Sequence, residues 1–296
     1  MRLLLATFIL LTETAFALSG QLQSITEFFP IDVGVPTQTL VPRLSIEIDG
    51  SQKFTRAFRW TFKGTFQSNL VSKYQPEKYF GDLSEAYFEY KKSSFRMRVG
   101  WNTLNWGVLD LYSPMDVVNQ HVLFDPLSSR KRGAPMVELQ HNSAGWEFSA
   151  IWIPFQAKGM LPSNDSRWLP RSEVNLDTDS GAVFLPEHSQ YDVDSEVQLN
   201  YALENNFGVN LEKRWNGFDL HAMYFNGAAA SPSFLVQGTS WVPTPFPTPV
   251  PTLMPSGPVV LHPLYYRTQT SGLGFTANPG SIIIRGEGGD CAQRND

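Results

Sequence analysis

Residues 84–90 read Ser-Glu-Ala-Tyr-Phe-Glu-Tyr and residues 95–101 read Phe-Arg-Met-Arg-Val-Gly-Trp, and each run carries two incompatible surfaces. Side chains alternate across a β-strand with period two, so Ala86, Phe88 and Tyr90 share one face while Glu85, Tyr87 and Glu89 share the other. In the second run Phe95, Met97, Val99 and Trp101 oppose Arg96, Arg98 and Gly100. Folding about residues 91–94 sets Glu89 across from Arg96, Tyr87 across from Arg98 and Phe88 across from Met97, so each face matches its partner. Such a hairpin needs an apolar medium on one side and a polar one on the other. A two-layer soluble sandwich meets that need with a second sheet. A transmembrane barrel meets it with lipid outside and water inside.

The N-terminus favours the barrel. Arg2 precedes an apolar run over residues 3–11 and then Ala15-Phe16-Ala17, a small-x-small cleavage order, so residues 1–17 are expected to be a signal peptide and the mature chain to begin at Leu18. No later run reaches the ~18 apolar residues that a membrane-spanning helix requires. A closed sheet is the remaining way to cross a bilayer. Aromatic residues at 13% with charged residues at 17% suit strands whose aromatic girdles flank a lipid-facing band. The single cysteine, Cys291, excludes an internal disulfide framework, and a net charge of −5 with both signs interspersed gives no nucleic-acid surface. His121, His188, His221 and His262 show no metal-ligand spacing and the carboxylates no calcium-loop order, so neither a metal nor a cofactor is expected.

Along the chain, residues 18–39 lack a period and are expected to be a lead-in, residues 40–285 the barrel, and the Gly-rich residues 286–296 a polar tail. A strand over 40–49, a loop at Gly50-Ser51-Gln52 and a returning strand over 53–64 form a hairpin, with Arg56 interrupting the apolar face and snorkelling. A second pairs 136–141 with 146–153 around 142–145, setting Leu139 opposite Phe148 and Gln140 opposite Glu147. A third joins 207–215 to 218–226 through Asn216-Gly217, a type I′ pair. There Trp215 opposes Phe218, Leu211 opposes Ala222, Arg214 meets Asp219 and Glu212 meets His221, with Lys213 outward near the rim. Residues 154–190 read as a long polar loop. The seven prolines of residues 241–258 predict an extended exposed loop. Between residues 102 and 135 alternation fades, and Ser113-Pro114-Met115-Asp116 has the order of N-cap, N1 proline and first-turn acid, which predicts a short helix over 114–120.

Taken together, AYFEY, FRMRVGWNTLNWGVLD and SPMDVVNQ resemble a porin-like outer-membrane β-barrel family of Gram-negative bacteria whose function is unassigned. The matching residues are Arg98, Gly100, Trp106, Gly107, Asp110, Asp116 and Asn119, and the pattern departs at Gln120, where the family carries proline. GFDLHAMYFNGAAASPSF resembles a repeated strand of the same family. The resemblance covers roughly residues 40–235 and, more distantly, extends to porins and exporters of anionic solutes. It implies an all-β fold: an antiparallel transmembrane β-barrel, complete or incomplete, with long extracellular loops and a short helix in an inserted loop. Family members end in an aromatic strand read by the barrel-assembly machinery. This chain shows no such ending, so a fragment or a divergent tail is expected.

The expected function is a passive outer-membrane channel for small polar or anionic solutes, with membrane lipid, the assembly machinery and the solute as its partners. Its lumen would be lined by Arg43, Glu47, Arg59, Lys63, Glu85, Glu89, Arg96 and Arg98, whose field selects by sign. Inward ion pairs that only stabilise a filled barrel would use the same residues. Trp106, Gly107, Asp110, Asp116 and Asn119 would form an inward constriction or a rim cap. Two other classes remain. His141 and Ser143 have the order of an outer-membrane phospholipase, with Ser143 in the turn, and the long loops would suit a non-conducting surface barrel that binds a partner.

Overall fold

The computed structural model describes residues 17–28, 40–72, 78–110, 113–124, 130–162, 174–178, 181–185, 191–193, 201–238, 241–243, 253–255, 259–280 and 282–294. The chain is all-β. Strands β1 (Ala17–Phe28), β2 (Leu40–Lys53), β3 (Phe58–Asn69), β4 (Tyr79–Lys92) and β5 (Phe95–Asn102) come first. Two short strands follow, β6 (His121–Val122) and β7 (Arg130–Lys131), then β8 (Ala134–Ser143) and β9 (Trp146–Phe155). Next are β10 (Val174–Thr178), β11 (Gly181–Leu185), β12 (Tyr191–Val193), β13 (Glu204–Trp215) and β14 (Phe218–Ala228). The last are β15 (Ser233–Gly238), β16 (Trp241–Pro243), β17 (Leu253–Pro255), β18 (Val259–Leu264), β19 (Arg267–Ala277) and β20 (Ile284–Arg294).

Eleven of these form one sheet in the order β1-β2-β3-β4-β5-β8-β9-β13-β14-β19-β20, and every neighbouring pair is antiparallel. The sheet is a meander with tight turns at one end and long connections at the other, the asymmetry of outer-membrane barrels. Among the described residues β1 pairs only with β2 and β20 only with β19, so the wall is open between them. The expected helix over 114–120 does not form: Pro114 and Met115 make a single turn, with the Asp116 N–H donating to Ser113 O at 3.1 Å. Its backbone groups find side-chain partners on the wall instead.

The faces are those of the alternation. Phe58, Phe88, Val99, Leu139, Phe148, Val209, Leu211, Leu220 and Leu273 lie exposed on the outer surface. Aromatic rings gather where the turns are: Phe58 and Tyr90 lie 4.9 Å apart, Trp215 and Phe218 5.7 Å, and Phe218 and Phe275 6.2 Å. Lys213 sits over the rings of Trp146 and Trp215 at 4.9 and 5.7 Å, an outward lysine folded along the rim. A second set, Phe207 with Tyr224 and Trp101 with Phe155, marks the other end. From Phe207 to Trp215 is roughly 27 Å of strand at about 3.4 Å per residue. A tilt of ~45° makes that about 19 Å of height, the scale of the apolar band of such barrels.

Turn positions depart from expectation in three hairpins. The first turn lies at residues 54–57, not 50–52: the Thr55 hydroxyl accepts from the N–H groups of Ala57 and Phe58, both at 3.1 Å, while buried Gly50 pairs with Phe62 inside the sheet. Arg56 is therefore an exposed turn residue. The second turn is Ser93-Ser94, with Ser93 at φ 52°, so Glu89 pairs with Arg98 and Lys91 with Arg96. The third is Ala144-Gly145, both left-handed, so Leu139 pairs with Ala150, His141 with Phe148 and Ser143 with Trp146. In the last two the shift is two residues, which keeps every side chain on its face. The register of β13 and β14 is as expected, although only Gly217 is left-handed and the turn is not type I′.

The wall also extends past its expected limits. Residues 17–28 of the lead-in pair along β2, and β20 occupies most of the expected polar tail. Backbone pairing does not require apolar side chains, and at the outward Gly286 a β-carbon would lie 2.6 Å from the Phe275 ring, which covers the bare strand. Instead of an open loop, the ends of the proline-rich segment form β16 and β17, and β17 lies between β11 and β16. Prolines 245, 247, 249, 251 and 258 fall outside the described residues.

Candidate functional site

The inner face of β1 to β8 is a set of ion-paired ladders. Cross-strand neighbours on one face of a sheet stand close enough for charged side chains to meet. Arg43 pairs with Glu27 at 3.2 Å and Lys63 with Glu47 at 3.1 Å. Glu89 lies 3.9 Å from Arg59 and 3.1 Å from Arg98, and Arg98 reaches Glu138 at 3.2 Å while stacking 5.2 Å over the Tyr87 ring. Arg96 bonds Gln140, Gln140 bonds Glu147, and Arg214 joins Glu147 to Glu212, whose other oxygen lies 3.9 Å from His221. By register Arg43, Glu47, Arg59, Lys63, Glu85, Glu89, Arg96 and Arg98 share this face of the sheet. Glu85 has no ion pair among the described residues.

Residues 103–120 leave β5 and fold back against this inner face. Fully buried Asn119 clamps their base: its amide donates to Asn102 O at 3.2 Å and Arg132 O at 3.0 Å, and its oxygen accepts from Leu104 N–H at 2.9 Å. Lys131 donates to Leu104 O at 2.7 Å and pairs with Asp116. Burial holds the Lys131 ammonium below its ordinary pKa, and Asp116 opposes that shift. Buried Gln120, where the resemblance expects proline, donates to Ala229 O at 2.5 Å and Gln156 Oε1 at 3.1 Å, contacts proline could not make.

Further along, Trp106 and Met115 lie against bare stretches of wall. A β-carbon on Gly208 would sit 2.8 Å from the Trp106 ring, and one on Gly272 2.6 Å from Met115 Cγ. With Val118, Met136, Ile151, Ile153, Met223 and Phe225 these two form an apolar core inside the sheet. Gly107 packs against Ser113 with no room for a side chain. On the last strand the Glu287 carboxylate accepts from the N–H groups of Val108 at 2.8 Å, Leu109 at 3.4 Å and Met115 at 3.5 Å, and Arg285 meets Asp110 at 2.5 Å. The excursion thus fills the β8-to-β20 side of the interior.

On the β2-to-β4 side a cavity of about 440 Å³ remains. Glu47, Lys63, Asp82 and Glu85 contribute from the wall, and Asn105, Arg130 and Lys131 from the excursion and the β6–β7 ribbon. Asp82 also pairs with Arg132 at 3.6 Å. Three acids and three bases line the cavity, so its field is transverse and of no dominant sign. Alternation identifies Glu47, Lys63 and Glu85 but not Asp82, which precedes the alternating run, nor Arg130, Lys131, Arg132 or Glu287, which are brought in by long-range contacts. The one signal for the three basic residues was the cluster Arg130-Lys131-Arg132 in a turn.

His141 and Ser143 share the outward face of β8, with Ser143 in the strand and not in the turn. Among the described residues no hydrogen bond joins them and no carboxylate pairs with His141. The geometry of an activated nucleophile is therefore lacking. No group of three or more His, Cys, Asp and Glu among the described residues could hold a metal ion.

No family model matches the chain, and no curated protein matches it. Among solved structures it is similar to Salmonella typhi OmpF in complex with daunomycin, at 10% identity and a TM-score of 0.42, over 95% of this chain and 66% of that one. It is similar also to a mutant of the Rh. blastica porin at 10% identity and a TM-score of 0.36, over 94% and 84%. A triple mutant of the Rhodopseudomonas blastica porin gives 11% and 0.36 over 95% and 86%. All three overlaps are loose, and the chain spans only 66% of the OmpF chain's length.

Proposed function

We propose that this protein is an outer-membrane porin-like channel for small polar or anionic solutes, and that residues 103–120 are its constriction. The observation that carries the proposal is the polar cavity between the ion-paired wall and the excursion, on the inner side of a sheet whose outer face is apolar and banded by aromatic rings. A solute in the cavity exchanges water for Glu47, Lys63, Glu85 and Arg130, and opposite signs across a narrow space favour small molecules with dipoles. The proposal includes membership of the family that the W-G and D-x-x-N segments resemble, export by residues 1–17, and insertion by the barrel-assembly machinery. Pure, folded protein in planar bilayers is expected to give discrete conductance steps, and deleting residues 104–118 to raise the step severalfold. Silent insertion of protein shown to be folded would overturn the channel.

A further inference from the structure

The two ends of the excursion are held in different ways. Its base is tied by fully buried Asn119 and by half-buried Lys131, each of which donates to backbone carbonyls. Among the described residues its tip has two polar ties to the wall, and both come from β20. Glu287 takes three backbone N–H groups, and Arg285 takes Asp110, whose side chain is 84% exposed. Three N–H groups converging on one carboxylate are an anion cradle, since each amide dipole presents its positive end. The wall supplies that anion from a strand that, among the described residues, is paired on one side only, 172 or more residues along the chain.

We propose that the backbone N–H groups of Val108, Leu109 and Met115 form a carboxylate-binding site, occupied by the Glu287 side chain and open to small carboxylate solutes when that side chain swings away. The proposal rests on the channel reading for its biological meaning, and it names the solute class that the constriction would sense. Glu287 acts as a tethered ligand. A free carboxylate of the same geometry competes for the cradle and displaces the Glu287 side chain, while Asn119 and the packed Trp106 and Met115 keep the excursion on the wall.

The cradle can be tested apart from conductance. Exchange of the Val108 and Leu109 amide protons is measured by mass spectrometry on full-length protein folded in detergent micelles. In wild type both amides are expected to be protected; in Glu287→Ala their exchange is expected to rise about tenfold or more, as suits loss of hydrogen bonds to a charged acceptor. Sodium acetate at tens of millimolar is expected to restore protection in the variant, and sodium chloride at equal ionic strength is not. Glu287→Gln keeps the shape of the side chain and guards against a folding defect; it is expected to show the same acetate dependence in weaker form. Unchanged exchange in both variants, or faster exchange that acetate and chloride affect equally, overturns the proposal. Acetate-specific protection in protein that never conducts supports the cradle and removes the channel.

Discussion

Arg98 holds two carboxylates that have almost no water. Glu89 and Glu138 keep 9% and 8% of their side-chain exposure, and Arg98 lies 3.1 and 3.2 Å from them. Removing the guanidinium leaves buried Glu138 without an ion pair among the described residues and Glu89 with only Arg59 at 3.9 Å, so Arg98→Ala is expected to cost about 3–5 kcal/mol, read from urea unfolding in micelles. A surface pair of the same composition, such as Lys63 with Glu47, is worth about 0–1 kcal/mol. His121 offers a test by pH. Burial lowers its pKa below the ordinary 6.5, Asp116 opposes the shift and Lys131 adds to it. The unfolded chain therefore takes the proton first as pH falls through about 6.5, so this contribution to stability is full above that value and is lost below it. Unfolding midpoints between pH 8 and 5 are expected to fall less steeply in His121→Gln than in wild type.

At the scale of the element, hairpin turns decide the register, and their residues can be altered without touching the lumen. Ala144 sits at φ 51° beside Gly145 at φ 78°, a strained place for a side chain. Ala144→Gly is expected to stabilise the protein by about 1 kcal/mol, and Gly217→Val to destabilise it by about 1–2 kcal/mol, both measured by unfolding. The same turns explain what could be read in advance. Asn216-Gly217 marked its own position, and the β13–β14 register followed. Ser93-Ser94 and Ala144-Gly145 are weaker markers and were placed inside four-residue loops, an error of two residues that leaves both faces intact. Gly50 carries a turn signal yet is a buried strand position, while Thr55 makes the turn through its hydroxyl.

For the whole molecule, the proposed membrane placement is tested on the two faces of the wall. Leu211 is outward and exposed, whereas Asn210 beside it is inward. Leu211→Arg is expected to cost about 2–4 kcal/mol for protein folded into liposomes, the cost of a cation in the lipid band. Thr65→Arg, which faces the cavity from β3, is expected to cost far less; equal costs would place the outer face in water.

The sequence by itself determined the two faces, because period-two alternation is local and each strand carries it alone. By the same alternation the eight charged residues fall on one face of their strands. Only the tertiary structure decided what that surface encloses. The docking of Trp106 and Met115 on Gly208 and Gly272, the clamp of Asn119 and the hold of Glu287 on Val108 join residues up to 179 positions apart. Such contacts depend on how far the sheet curls and which strand reaches the excursion, and no local pattern encodes either.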